Sequence, residues 1–333
     1  MDILWWQNVQ KYFDHVVDMT PSDRDRYLSL VCHNDDAMLA EINALLDAAN
    51  EANNHAFLDK QGEFQLLHPG EELNQYTIVK KAGSGAMGEV YLATDKQQEA
   101  VAIKCLPILF SQDEKILQRF YHSAKLAMKL QHPGVCKICD IGETNNHVHY
   151  LVMEYCDDGD LEQRLPKLKG DTQTAIRYTR ELLFALKEAH ELAIWHRDIK
   201  PSNIMFTNED QLKIVDFGIA KDADTKLTVT GTRLGTPAYM APEQWTGTEI
   251  DHRADLWAIG VILYEMIAGV RPFKGDTLSD IMNAIYNSKP IPLSRICPNI
   301  PNELDVIISK SLNKDKSLRY QNAEELLSTL KAI

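Results

Sequence analysis

Apolar residues change their spacing twice along the chain. Over residues 1 to about 58 the spacing is helical, with Leu4, Trp5, Val9, Phe13, Val16 and Val17 falling on one face. Thr20-Pro21-Ser22-Asp23 reads as a helix start, and the short helix it opens carries Tyr27, Leu28, Leu30 and Val31. Asn34-Asp35-Asp36 caps a third helix with Leu39, Ile42, Leu45 and Leu46 as its stripe. The chain then turns polar, and a segment through Gly62 and Pro69-Gly70 has the composition of a linker. From Tyr76 the period drops to two, which predicts strands over 76–81, 89–94 and 100–105 around a glycine cluster. A helix over about 112–131 follows, then strands near 135–142 and 148–154. Beyond about residue 160 helices dominate. The exception is a pair of short strands around 204–206 and 212–215, joined by the turn Thr207-Asn208-Glu209-Asp210. The pattern divides the chain into a helical extension (1–58), a linker (59–72) and a body (73–333). The body is strand-rich over about 73–154 and helical over about 157–333, an α+β arrangement.

Charge narrows the partners. With 35 Lys+Arg against 48 Asp+Glu in 333 residues, the net charge is −13. An acidic chain is a poor candidate for coating nucleic acid, and anionic membrane surfaces are disfavoured for the same reason. The most apolar stretch, Leu256 to Val270, is shorter than the ~20 residues of a membrane span and contains Glu265. It predicts instead a helix buried on most sides. Met1-Asp2-Ile3-Leu4-Trp5-Trp6 lacks the basic start of a signal peptide, and the six cysteines are scattered, so a cytoplasmic setting is expected. Cys136 and Cys139 form a CxxC, but on a strand positions three apart face opposite ways, which favours packing over metal or redox chemistry.

Candidate chemistry lies in four places. Gly83-Ser84-Gly85-Ala86-Met87-Gly88 sits between two predicted strands, where its backbone can lie over phosphates; a plain glycine-rich turn is the alternative. Lys104 ends the apolar run Val101-Ala102-Ile103 and could hold the α- and β-phosphates of a nucleotide, or be a surface lysine at a strand end. His196-Arg197-Asp198-Ile199-Lys200-Pro201-Ser202-Asn203 is far more specific. Its aspartate can take the proton of an attacking hydroxyl, its lysine can offset phosphoryl charge, and its asparagine can offer oxygen to Mg²⁺. Asp216-Phe217-Gly218 places a carboxylate at a strand end, where it could ligate the same ion.

These motifs, with Gly235-Thr236-Pro237-Ala238-Tyr239-Met240-Ala241-Pro242-Glu243 after them, resemble the protein-kinase superfamily over about residues 73–333. Within it the chain looks like the bacterial serine/threonine kinases of eukaryotic (Hanks) type. The resemblance implies a two-lobed protein-kinase fold, α+β, with a β-rich N-lobe, a helical C-lobe and ATP in the cleft. It implies phosphoryl transfer to protein substrates with ATP and Mg²⁺, or Mn²⁺ in its place. Met153 would be the gatekeeper, Glu154 and Cys156 would pair with adenine through their backbone, and Val90, Ala102 and Met205 would sandwich the base. Asp160 lies where the family often binds ribose. Asp255-Leu256-Trp257 would open the helix that braces the catalytic loop, and Glu243 would pair with Arg319. Lys200 and Thr236 match serine/threonine rather than tyrosine kinases. Arg197 implies control by phosphorylation of the activation loop, with Thr228 and Thr230 the best sites and Thr225 and Thr232 weaker ones.

One position departs from the family. The first large helix of an active kinase supplies a glutamate to the strand lysine. Here that position is Ser123, and no acid occurs between Glu114 and Asp140. Lys104 is then expected to be less well fixed or to find another anion such as Asp216. Two readings follow: an active kinase with a substitute partner for Lys104, or an ATP-binding pseudokinase that acts as a switch or scaffold. The N-terminal helices must bury their stripe, so they are expected to dock on the small lobe, bind a partner or form a homodimer.

Overall fold

The computed structural model describes residues 66–333 except 86–87, 107–113, 145–146, 218–235, 247–248 and 299, together with selected residues between Tyr12 and Leu46. The chain forms two compact units, Met1–Gln65 and Leu66–Ile333. In the first, Val16, Leu28, Cys32, Met38, Ile42 and Leu46 are buried against one another. Five of the six belong to helical segments. Asp35 accepts the amide of Met38 at 2.9 Å, the bond expected of a helix cap. Leu4, Trp5, Val9, Phe13, Val17, Leu30 and Leu45 lie outside the described residues.

The second unit opens with strands β1 (Glu72–Leu73), β2 (Tyr76–Gly85), β3 (Gly88–Thr94) and β4 (Ala100–Cys105). Helix α1 (Glu114–Ala127) and strands β5 (Ile138–Glu143) and β6 (His149–Glu154) complete the smaller part. The six strands form one antiparallel sheet in the order β1-β2-β3-β4-β6-β5. Alternation gives it two apolar faces. Tyr76, Ile78, Tyr91, Ala93, Ile103 and Val152 pack on one. Ala102, Leu151 and Met153 pack on the other, where α1 adds Phe120 and Ala124.

The larger part contains α2 (Leu161–Leu168), α3 (Thr172–Glu191), the hairpin β7 (Ile204–Phe206) and β8 (Leu212–Ile214), and α4 (Pro242–Thr246). It continues with α5 (Arg253–Ala268), α6 (Leu278–Asn287), α7 (Leu293–Ile296), α8 (Glu303–Ser311) and α9 (Ala323–Leu330). Helix α5 is the centre: every residue from Ala254 to Ala268 is buried, including Asp255 and Glu265. An apolar sequence on all sides predicts this placement. Gly260 allows α8 to approach, since a Cβ there would meet that of Ser311 at 2.6 Å. Gly269 ends α5 at φ 69°, the left-handed cap that glycine takes without strain. Arg319 grips Glu243 through both guanidinium nitrogens at 2.7 Å, and both residues are buried.

Candidate active site

The loop after α3 is hung from α5. Asp255 accepts the amide of His196 at 2.9 Å and that of Arg197 at 2.8 Å, and His190 donates to it from Nε2 at 2.9 Å. Burial pushes this carboxyl pKa up, but the hydrogen bond and charge of His190 and the amide of His196 bring it below the ordinary range. A buried carboxylate that accepts several donors stays ionised. The His196 ring is fixed as well: Nε2 donates to the carbonyl of Val215 at 2.8 Å, and Nδ1 accepts the Asp198 amide at 3.2 Å. Arg197 takes φ 63°, a left-handed turn in the backbone immediately before Asp198.

Asp198, Lys200 and Asn203 converge. Lys200 Nζ lies 3.0 Å from Asp198 Oδ2. Asn203 donates from Nδ2 to the carbonyl of Asp198 at 2.8 Å and to its Oδ2 at 3.3 Å. The turn Pro201–Asn203 sets the asparagine, whose carbonyl accepts the amide of Val215 at 3.0 Å. Asp216 follows directly with φ 64°. Phe217 is buried edge-on against the ring of His196, 4.9 Å between centroids.

Lys104 lies on β4 opposite Val90 and Leu151 and is 6% exposed. Its ammonium is 2.6 Å from Asp216 Oδ2. Ser123 stands half-buried on α1. The anion at Lys104 is thus Asp216, from the larger part, rather than an acid on α1. The glycine hairpin joins β2 to β3 with Gly85 paired to Gly88, Ser84 to Glu89 and Gly83 to Val90. Gly88 has φ 112°, open to glycine and costly for other residues. Ala86 and Met87 lie outside the described residues.

Met153 pairs with Ala102 across β4–β6, and both pack with Val90 and Cys136. Glu154 is held from two sides. Lys213 of β8 pairs with its carboxylate at 2.7 Å, and the Cys136 thiol donates to its carbonyl at 3.4 Å. Cys156 is buried close to Cys136. Asp160 caps α2 by accepting the amide of Gln163 at 2.9 Å, and its backbone bridges to Met205 on β7. Thr236 begins the turn Thr236–Tyr239. Thr225, Thr228, Thr230 and Thr232 lie outside the described residues.

Sequence reasoning missed three contacts. Gln244 of α4 donates to the carbonyl of Arg197 at 2.8 Å. Lys213 holds Glu154, and His190 holds Asp255. Each of the three joins residues far apart in the chain, where spacing along the sequence carries no signal.

A protein kinase domain family matches residues 76–330. A probable serine/threonine-protein kinase of Clostridium perfringens is 38% identical over 264 residues, which span 78% of this chain and 38% of that protein. Serine/threonine-protein kinase pkn3 of Myxococcus xanthus is 35% identical, spanning 78% of this chain and 50% of its own length. PknB of Mycolicibacterium smegmatis is 34% identical, spanning 80% and 44%. The match thus covers half or less of these relatives. The crystal structure of the Mycobacterium tuberculosis PknI kinase domain superposes with a TM-score of 0.64 at 26% identity, covering 80% of this chain and 99% of that one. The family match over most of the chain and these identities together show that the chain belongs to the protein kinase family, among its bacterial serine/threonine kinases of eukaryotic type.

Proposed function

We propose that the chain transfers the γ-phosphoryl group of ATP to serine and threonine hydroxyls of protein substrates. The convergence of Asp198, Lys200 and Asn203 on one point carries this reading. The substrate hydroxyl forms the new O–P bond, the bond from the γ-phosphorus to the bridging oxygen breaks, and ADP leaves. Asp198 orients the hydroxyl and takes its proton, held at the right place by Asn203 and by a loop anchored on Asp255. Lys200 balances charge on the transferred group. The glycine hairpin with Lys104 holds the phosphates, and the backbone of Glu154 and Cys156 reads adenine against Val90, Ala102 and Met205. Met153 stands behind the base and Asp160 beside the ribose.

Asn203 and Asp216 suit a hard divalent cation. The amide nitrogen of Asn203 faces Asp198, which turns its amide oxygen the other way, and Asp216 offers a carboxylate with one oxygen on Lys104. Mg²⁺ held by these two would offset the negative charge of the phosphates.

Activation-loop phosphorylation at Thr228 or Thr230, with Arg197 as its cationic anchor, belongs to the same proposal. So do a cytoplasmic setting and docking of a partner or a second copy through the N-terminal helices. No helix of the described residues is long and apolar enough to cross a membrane. A second reading, an ATP-binding pseudokinase, draws on the pairing of Lys104 with Asp216 and the serine at 123.

The deciding experiment is phosphosite mapping by mass spectrometry after incubation with Mg²⁺-ATP. Wild type and Asp198→Asn would both first be treated with phosphatase. New phosphate on Thr228 or Thr230 in the wild type alone supports the kinase. Absence of phosphate in both, on themselves and on generic protein substrates, overturns it in favour of the pseudokinase.

A further inference from the structure

Glu89 lies on β3 immediately after Gly88, so it belongs to the outgoing arm of the glycine hairpin. Alternation places Glu89 and Tyr91 on the face opposite Val90. That face, opposite the one the proposed function gives to the nucleotide, carries a dense polar cluster. The amide of Leu66 donates to Glu89 Oε2 at 2.9 Å. The amide of Leu67 donates to the hydroxyl of Tyr91 at 3.1 Å, and that hydroxyl donates to Glu89 Oε2. Lys81 of β2, paired in register with Tyr91, closes the cluster with its ammonium 2.5 Å from Glu89 Oε1.

Leu67 itself is 1% exposed and packs with Leu73, Tyr76, Ile78 and Tyr91. Two successive backbone amides and one buried leucine therefore hold residues 66–67 against the back of the hairpin. Burial pushes the Glu89 pKa up, but Lys81, Tyr91 and the Leu66 amide together bring it below the ordinary value. The carboxylate that holds the strap is charged at neutral pH.

We propose that Glu89 is a positioning residue: through Lys81, Tyr91 and the Leu66–Leu67 strap it sets how the glycine hairpin closes over the phosphates of a bound nucleotide. The argument rests on the nucleotide-binding reading given above. Loosening the strap lets the two arms of the hairpin shift without removing any group that touches ligand. The effect falls on the phosphates, because the strap backs the strand segment next to Gly88 and not the edge that reads the base.

The test is calorimetric titration of the full chain with a non-hydrolysable ATP analogue plus Mg²⁺, and separately with adenosine, which has no phosphates. Glu89→Ala is expected to weaken the analogue by at least about 5-fold, the lower end of usual coupling between sites, and to leave adenosine unchanged. Glu89→Gln keeps one acceptor and should fall between Ala and wild type. Leu67→Ala should reproduce the split from the other side of the contact, and serves if Glu89→Ala fails to fold. Equal binding of the analogue by all variants overturns the proposal. Equal weakening of both ligands also overturns it, because Glu89 would then be merely structural. A wild type that does not bind the analogue refutes the nucleotide-binding reading instead.

Discussion

Lys314 is the clearest place where the fold holds a charge at a cost. Its Nζ is buried with no hydrogen-bond partner and lies 3.8 Å from the centre of the Phe273 ring and 5.1 Å from that of Trp257. The other nearby charge is also a cation: Arg319 lies 4.9 Å from the same Trp257 ring, while its carboxylate partner Glu243 is engaged with Arg319 itself. Burial, and then Arg319, pull the Lys314 pKa from 10.5 down to about 8. A lysine whose pKa falls on folding is protonated more readily in the unfolded chain. Its penalty is full below the folded pKa and disappears above the unfolded one. That fall corresponds to a penalty on the order of 3 kcal/mol at pH 7, an upper bound because solvent reaches part of the side chain and screens the charge. Attraction to the two aromatic faces returns roughly 0.5–2 kcal/mol of that.

Lys314→Met, which keeps the length of the stem and puts a thioether on the rings, should therefore raise stability by about 1–3 kcal/mol at pH 7. At about 2–4 °C per kcal/mol for a domain of this size, the melting temperature should rise by roughly 2–12 °C. Thermal melts of both proteins from pH 6.5 to 10.5 would show the gain constant up to about pH 8 and shrinking above it. A gain that does not shrink with pH, or a loss, would refute the reasoning.

Two further predictions follow from the ion pairs. Ser123→Glu offers Lys104 a second carboxylate and should raise kcat/KM for ATP several-fold; unchanged or lower kcat/KM would show that Asp216 is a sufficient partner. Arg319→Met leaves the buried carboxylate of Glu243 without its cation and should cost about 3–5 kcal/mol in urea unfolding. A loss under 1 kcal/mol would mean that water reaches Glu243.

The sequence made the strand lysine, the loop from His196 to Asn203 and the buried helix at 253–268 readable, because each is specified by neighbours along the chain. It was less informative where the decisive contact is distant. Val135 and Cys136 read as the start of a strand, but they pair with Ile214 of β8, and β5 begins at Ile138. Cys136 is buried and Cys139 exposed, as alternation suggested, but the neighbour of Cys136 is Cys156, twenty residues on. Polar composition hid the apolar anchor at Leu67, because one buried leucine does not make a period. The choice of Asp216 by Lys104 was an expectation among alternatives, and only the packing of the smaller part on β8 could select it.

Anchoring the loop on Asp255 has a mechanical consequence. Asp198, Lys200 and Asn203 sit on a loop tied to α5, whereas Lys104 and the glycine hairpin belong to the sheet. The two sets still meet, because Lys104 on the sheet is paired with Asp216 of the larger part at 2.6 Å. The proposed activity would thus be divided between a loop braced by a buried helix and a sheet that carries the phosphate-holding groups. Under the proposed function, a partner acting on the sheet would reach the phosphate-holding groups first and the loop only through the Lys104–Asp216 pair.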